Sequence, residues 1–86
     1  MRFQFHNNFK KEYQKLKEPV KQKFSLRLKI FADDLYHPTL NNHGLAGRYK
    51  GYRSINITGD IRAIYKFKSN DTVIFVNIGN HSKLYK

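Results

Sequence analysis

Apolar residues along this chain follow two different spacings. In the first third they recur every three or four residues, and beyond Tyr52 they tend to recur every second residue. Phe9, Tyr13 and Leu16 form one helical stripe, with Lys10, Lys11, Lys15 and Lys17 on the opposite side. Asn7 or Asn8 is the expected N-cap. Glu18-Pro19 breaks this helix, and Pro19 opens the next from its first turn. Val20, Phe24, Leu28, Phe31 and Leu35 make the second stripe, to about Asp34, with Lys21, Lys23, Arg27 and Lys29 interspersed. Ahead of both helices, "RFQF" alternates and predicts a short first strand.

The turn-rich stretch "YHPTLNNHGLAG" reads as a connecting loop, and after it the period becomes two. "YRSINIT" is a half-buried strand, "TGD" a tight turn, and "IRAIYKF" a strand with Arg62 and Lys66 opposite Ile61, Ala63 and Tyr65. "SND" is another turn, and "TVIFVNI", apolar on both faces, is a central strand. Hairpin-length connections make the three strands antiparallel neighbours. The predicted fold is α+β, with two N-terminal helices packed on one face of a small, mainly antiparallel β-sheet. The other face is free to carry chemistry.

Length and composition narrow the setting. The chain has 86 residues, enough for one domain spanning residues 1–86 with a modest core. With no cysteine, neither disulfides nor thiolate metal sites are available, and a cytoplasmic location is expected. "MRFQFHNNFKKEYQKLKEP" lacks the continuous apolar core of a signal peptide, and no window approaches the ~18 apolar residues of a membrane span, so no membrane partner is expected. Seventeen Lys+Arg against six Asp+Glu give a formal charge of +11, which favours phosphate-rich partners through counterion release, although an anionic membrane surface or an acidic protein partner would also fit the charge alone.

Strand alternation and turns gather Ser54, Asn56, Arg62, Asp60, His43, His81 and Tyr85 as polar candidates for the free face. The histidines at 6, 37, 43 and 81 are too dispersed for a metal site, and neither a phosphate-binding glycine loop nor a nucleophile elbow is present, so no cofactor is expected. The inventory of His, Asp, Arg and Tyr beside Arg48, Lys50 and Arg53 suits metal-free RNA cleavage. RNA carries its own nucleophile, the 2′-OH. The enzyme need only remove that proton, protonate the leaving 5′-oxygen and neutralise the phosphate. Histidine performs either proton task, arginine holds the phosphate, and a tyrosine ring stacks on or orients a base.

Three segments then point to a family. "HGLAGRYKGYR" (43–53), "GDIRAIYK" (59–66) and "GNHSKLY" (79–85) resemble, in order and spacing, the YafQ branch of the RelE/YafQ superfamily of bacterial toxins. The resemblance implies a ribosome-dependent mRNA endonuclease of a type II toxin–antitoxin pair. Such a toxin cuts the codon exposed in the ribosomal A site, contacts ribosomal RNA, and is blocked by a cognate antitoxin. It also implies functional positions at His43, Asp60, His81 and Tyr85, with Arg62 at the phosphate-binding position of the RelE branch. Arg48, Lys50 and Arg53 are the expected RNA contacts. Relatives carry an acidic residue where this chain has Ser54, a histidine where it has Asn56, and tryptophan where it has Ile61. Either the chemistry runs on His43, Asp60, Arg62 and His81, or the chain is a weakly active or non-catalytic RNA- or ribosome-binding module on the same fold.

Overall fold

The computed structural model describes residues 1–85. Strand β1 (Arg2–Phe5) leads into helices α1 (Asn7–Gln14) and α2 (Glu18–Asp33). A 3-10 turn at Pro38–Leu40 precedes the short strand β2 (His43–Gly44), and a second at Gly47–Tyr49 precedes β3 (Arg53–Asn56). Strands β4 (Ile61–Ser69) and β5 (Thr72–Asn80) follow, and a one-turn helix α3 (His81–Leu84) closes the described chain. Among the described residues the sheet order is β1-β5-β4-β3-β2, and only β1, beside β5, pairs in parallel. The fold is therefore α+β, as the hydrophobic pattern predicts.

The two long helices start where local chemistry permits. The cap of α1 is His6, not the expected asparagine: its backbone is extended and its Nδ1 accepts the Asn8 amide hydrogen at 3.1 Å. Pro19 lies in the first turn of α2, where its missing N–H leaves no helical bond unmade, and Lys17 before that helix is held extended. His37 repeats the capping device on the 3-10 turn, accepting from the Thr39 amide at 3.1 Å. Thus His6 and His37 each have one imidazole nitrogen engaged with backbone.

Both long helices cover one sheet face. Phe75 of β5 is fully buried at the centre of an aromatic core. Its ring lies 5.6–5.8 Å from Phe5, Phe9, Phe24, Phe31 and Tyr65, centroid to centroid, with Phe3 at 6.4 Å. Such pairs hold their geometry through the quadrupoles of the rings as well as through buried area. Burial pushes the Tyr65 phenol pKa up, and its oxygen accepts a hydrogen bond from Asn42 Nδ2 at 2.7 Å. Asn42 Oδ1 in turn accepts from Arg53 Nε at 2.8 Å, so one amide joins the loop to two strands.

Hairpin turns fix the register of the functional face. Thr58 Oγ1 accepts from the amides of Asp60 and Ile61, closing the turn between β3 and β4. At the other end of β4, the Asp71 carboxylate accepts from the Ser69 and Thr72 hydroxyls, and these bonds hold its carboxyl below the usual carboxylate range. Between the turns, Ile64 pairs with Asn77 but Tyr65 pairs with Phe75, so Val76 is an extra residue in β5. This bulge brings Val76 and Asn77 to one side of the sheet.

Candidate functional site

Alternation places Ser54 and Asn56 of β3, and Arg62, Ile64 and Lys66 of β4, on the face turned away from the aromatic core. Ser54 and Ile64 are nonetheless fully buried there. This face is therefore not bare. The tail returns over it: Leu84 is 4% exposed, and its side chain lies next to Gly79 of β5.

Four polar contacts among the described residues order and fasten that tail. Asn80 caps α3, its Oδ1 accepting from the Ser82 amide at 2.9 Å. The His81 amide donates to the Asp60 carbonyl at 2.8 Å, tying the tail to the β3–β4 turn. Arg48 Nη2 donates to the Leu84 carbonyl at 3.1 Å. Lys83 reaches Glu12 of α1 at 3.5 Å; Lys15, at 2.9 Å, contributes most to lowering the Glu12 pKa, and Lys83 adds to it.

The fold brings Asp60, Arg62, His81 and Tyr85 to one end of the face. Ile61 pairs with Asn80 and Arg62 with Gly79, which sets His81 beside Asp60. The His81 and Tyr85 rings meet edge to face, 4.8 Å between centroids. Arg62 folds over the turn, its Nη1 donating to the carbonyls of Thr58, Gly59 and Ile61 at 2.9, 3.1 and 3.3 Å. Its Nε and Nη2 have no hydrogen-bond partner among the described residues. These two atoms form one edge of the guanidinium fork, the geometry that matches a phosphate.

His43 reaches the same face from β2, where it pairs with Ser54, and not from a free loop as the turn-rich sequence predicts. Its Nδ1 lies 2.8 Å from the Asn41 carbonyl. A carbonyl only accepts, so Nδ1 carries the proton and a neutral His43 ring presents Nε2 as an acceptor. The three expected RNA contacts separate. Arg48 holds the tail and lies over the Tyr49 ring at 5.3 Å. Lys50 is exposed in the loop before β3. Arg53 lies on the core side of the sheet, bound to Asn42 and 5.5 Å over the Tyr36 ring, because it shares the parity of Ile55.

Three polar atoms on this face, Ser54 Oγ, Asn56 Oδ1 and Tyr85 Oη, are buried with no hydrogen-bond partner among the described residues. Leaving such atoms unpaired costs about 1–3 kcal/mol each, a cost typical of sites where function overrides stability. Tyr49 was not legible as a site residue. It packs 6.4 Å from Tyr85 and 6.0 Å from Tyr52, and links the tail to the rest of the face. Tyrosines at 49, 52 and 85 were the available signal, but nothing in their spacing shows that they meet.

Residues 1–86 match the family model for the bacterial toxin of type II toxin–antitoxin systems, YafQ. The chain belongs to the YafQ toxin family. Solved structures share its fold at low identity. Escherichia coli YafQ is 23% identical with a TM-score of 0.75, each chain covered completely. A chain of the E. coli DinJ–YafQ toxin–antitoxin complex is 24% identical with a TM-score of 0.71, covering 98% of this chain and 96% of that one. One from the Methanococcus jannaschii RelB–RelE antitoxin–toxin complex is 18% identical with a TM-score of 0.74, over 95% and 94%. No curated protein matches the chain significantly. The RelE-like α+β architecture and the toxin family are thus established. No described helix is long and apolar enough to cross a membrane.

Proposed function

We propose that this toxin is a ribosome-dependent endoribonuclease that cuts mRNA in the A site and is silenced by a cognate antitoxin. The observation that carries the reading is the cluster at the β3–β4 turn, where the His81 amide donates to the Asp60 carbonyl, the His81 ring packs against Tyr85, and Arg62, paired across the sheet with Gly79, is held on the turn carbonyls through Nη1. Antitoxins accompany the structurally similar YafQ and RelE chains in their complexes, which supports an antitoxin partner here.

The roles follow from proton chemistry. The substrate 2′-oxygen attacks phosphorus, forming a cyclic phosphate as the bond to the 5′-oxygen breaks. His43, with Nε2 free to accept, takes the 2′-OH proton. His81 delivers a proton to the leaving 5′-oxygen, because arginine does not release one and a tyrosine does so reluctantly. The free edge of Arg62 meets charge developing on the phosphate. Tyr85 orients the neighbouring base, and Asp60 positions His81 through its backbone carbonyl. Exposed Lys50 contacts ribosomal or messenger phosphate.

Two outcomes test this reading. Expression without antitoxin is expected to arrest bacterial growth, with transcripts cut inside translated regions. Normal growth at high soluble levels, with intact transcripts, would select the second reading, a non-catalytic ribosome-binding module; Ser54 and Asn56, in place of the expected acidic residue and histidine, favour that alternative. Ribosome affinity is also expected to fall steeply with salt, since a formal +11 chain on RNA releases many counterions. Co-sedimentation unchanged between low and moderate salt would remove electrostatics as the main source of affinity.

A further inference from the structure

A recess lies on the same face, beside Lys66 and away from the Asp60 and His81 end of β4. Lys66 is four residue steps along the strand from Arg62, roughly 13 Å at the rise of a β-strand. The recess has a volume of about 400 Å³ and is lined by Tyr49, Tyr52, Lys66, Asn8, Asn77 and Val76, among others. None of its lining residues is acidic.

Its parts are those of a nucleotide site. Tyr49 and Tyr52 form a corner, their rings at 78° and 6.0 Å apart. Lys66 Nζ stands 5.3 Å from the centre of the Tyr52 ring, a cation beside an aromatic platform. The two amides have fixed orientations. Asn8 Nδ2 donates to the Val76 carbonyl at 3.1 Å, which leaves Asn8 Oδ1 as an acceptor. Asn77 Oδ1 accepts from the Ile78 amide at 2.9 Å, which leaves Asn77 Nδ2 as a donor, its contact with Tyr49 Oη being long at 3.5 Å. One acceptor and one donor beside an aromatic wall are what reading a base edge requires.

We propose that this recess binds a base of single-stranded RNA at a nucleotide other than the one being cleaved. The inference rests on the endoribonuclease reading for its link to catalysis. The rings of Tyr52, Tyr49, Tyr85 and His81 run in contact from the recess to the proposed acid, at successive separations of 6.0, 6.4 and 4.8 Å. An acidic peptide would use the cation but has no need of the aromatic corner and the oriented amide pair, so RNA is the favoured occupant.

The test is titration of a short fluorescent 2′-O-methyl RNA, which cannot be cleaved by 2′-OH attack, with the wild type and with Tyr52→Phe, Tyr52→Ala and Lys66→Ala. Tyr52→Phe, which keeps the ring, is expected to bind as the wild type does. Tyr52→Ala should bind about 5- to 150-fold more weakly, the usual range for losing one base–aromatic stack. Lys66→Ala removes an exposed side chain without threatening the fold, and should reduce the slope of log affinity against log salt by about 0.7. The proposal is overturned if the wild type does not bind the RNA, or if Lys66→Ala and a folded Tyr52→Ala both bind it unchanged. It is equally overturned if these variants lose antitoxin while retaining RNA. Weakened RNA binding in the variants, together with harmless expression of the wild type, would support the recess and refute the endonuclease reading.

Discussion

His81→Ala is expected to cleave ribosome-bound mRNA at least about a hundredfold more slowly, while binding ribosomes and antitoxin nearly as the wild type does. A 5′-alkoxide is a poor leaving group unless it gains a proton as its bond breaks, and losing a general acid typically costs about 10²–10⁴ in rate. Binding should survive because the fold uses His81 through its backbone. Its amide donates to Asp60, and an alanine amide does the same. The side chain itself is exposed and its ring touches Tyr85, while Leu84 supplies the buried contact of the tail. Single-turnover cleavage measured beside co-sedimentation separates the roles. Near wild-type cleavage would move the acid role to Tyr85, or to His43 with the base role reassigned. Cleavage and binding lost together would make His81 a packing residue.

Phe75→Ala is expected to destabilise the fold by about 3–5 kcal/mol, the range for truncating a buried aromatic to alanine. The ring is fully buried and has five aromatic neighbours within 6 Å, contributed by β1, α1, α2 and β4. A loss of that size is a large part of the roughly 5–15 kcal/mol that holds a small domain together. The functional face fails with it, because β5 ends at Asn80 and leads directly into His81 and the tail. Phe75→Leu retains most of the volume and should be markedly milder. Urea unfolding of both variants checks this; a Phe75→Ala midpoint within experimental error of the wild type would show that the aromatic cluster is not the main stabilising core.

Which features were legible in the sequence follows from how local their causes are. The helices around Phe9 and Phe24 and the strands around Ile55 and Ala63 show their periods directly, and the turns at Thr58–Asp60 and Ser69–Asp71 set the antiparallel pairing. The parallel docking of β1 on β5 is different, since no turn fixes it and about 70 residues separate the partners. Helix α3 is four residues long, too short to show a period, and β2 has only two. Asparagine beside the helix start looked like the cap, yet the imidazole of His6 occupies that position. Arg53 shows a second limit. Its parity with Ile55 placed it on the core side, whereas the surrounding "KGYR" drew attention to it as an RNA contact. The neighbourhood of Asp60, Arg62 and His81 follows from one hairpin register, but the packing of Tyr49 against Tyr85 is a tertiary contact that no local pattern announces.

The central claim is chemical, and primer extension on translating ribosomes tests it most directly. Purified toxin added to ribosomes stalled on a defined message should produce new 5′ ends at the A-site codon, and those ends should disappear with His81→Ala or with excess antitoxin. An unchanged primer-extension pattern, obtained with toxin shown to be bound to the same ribosomes, would contradict the account.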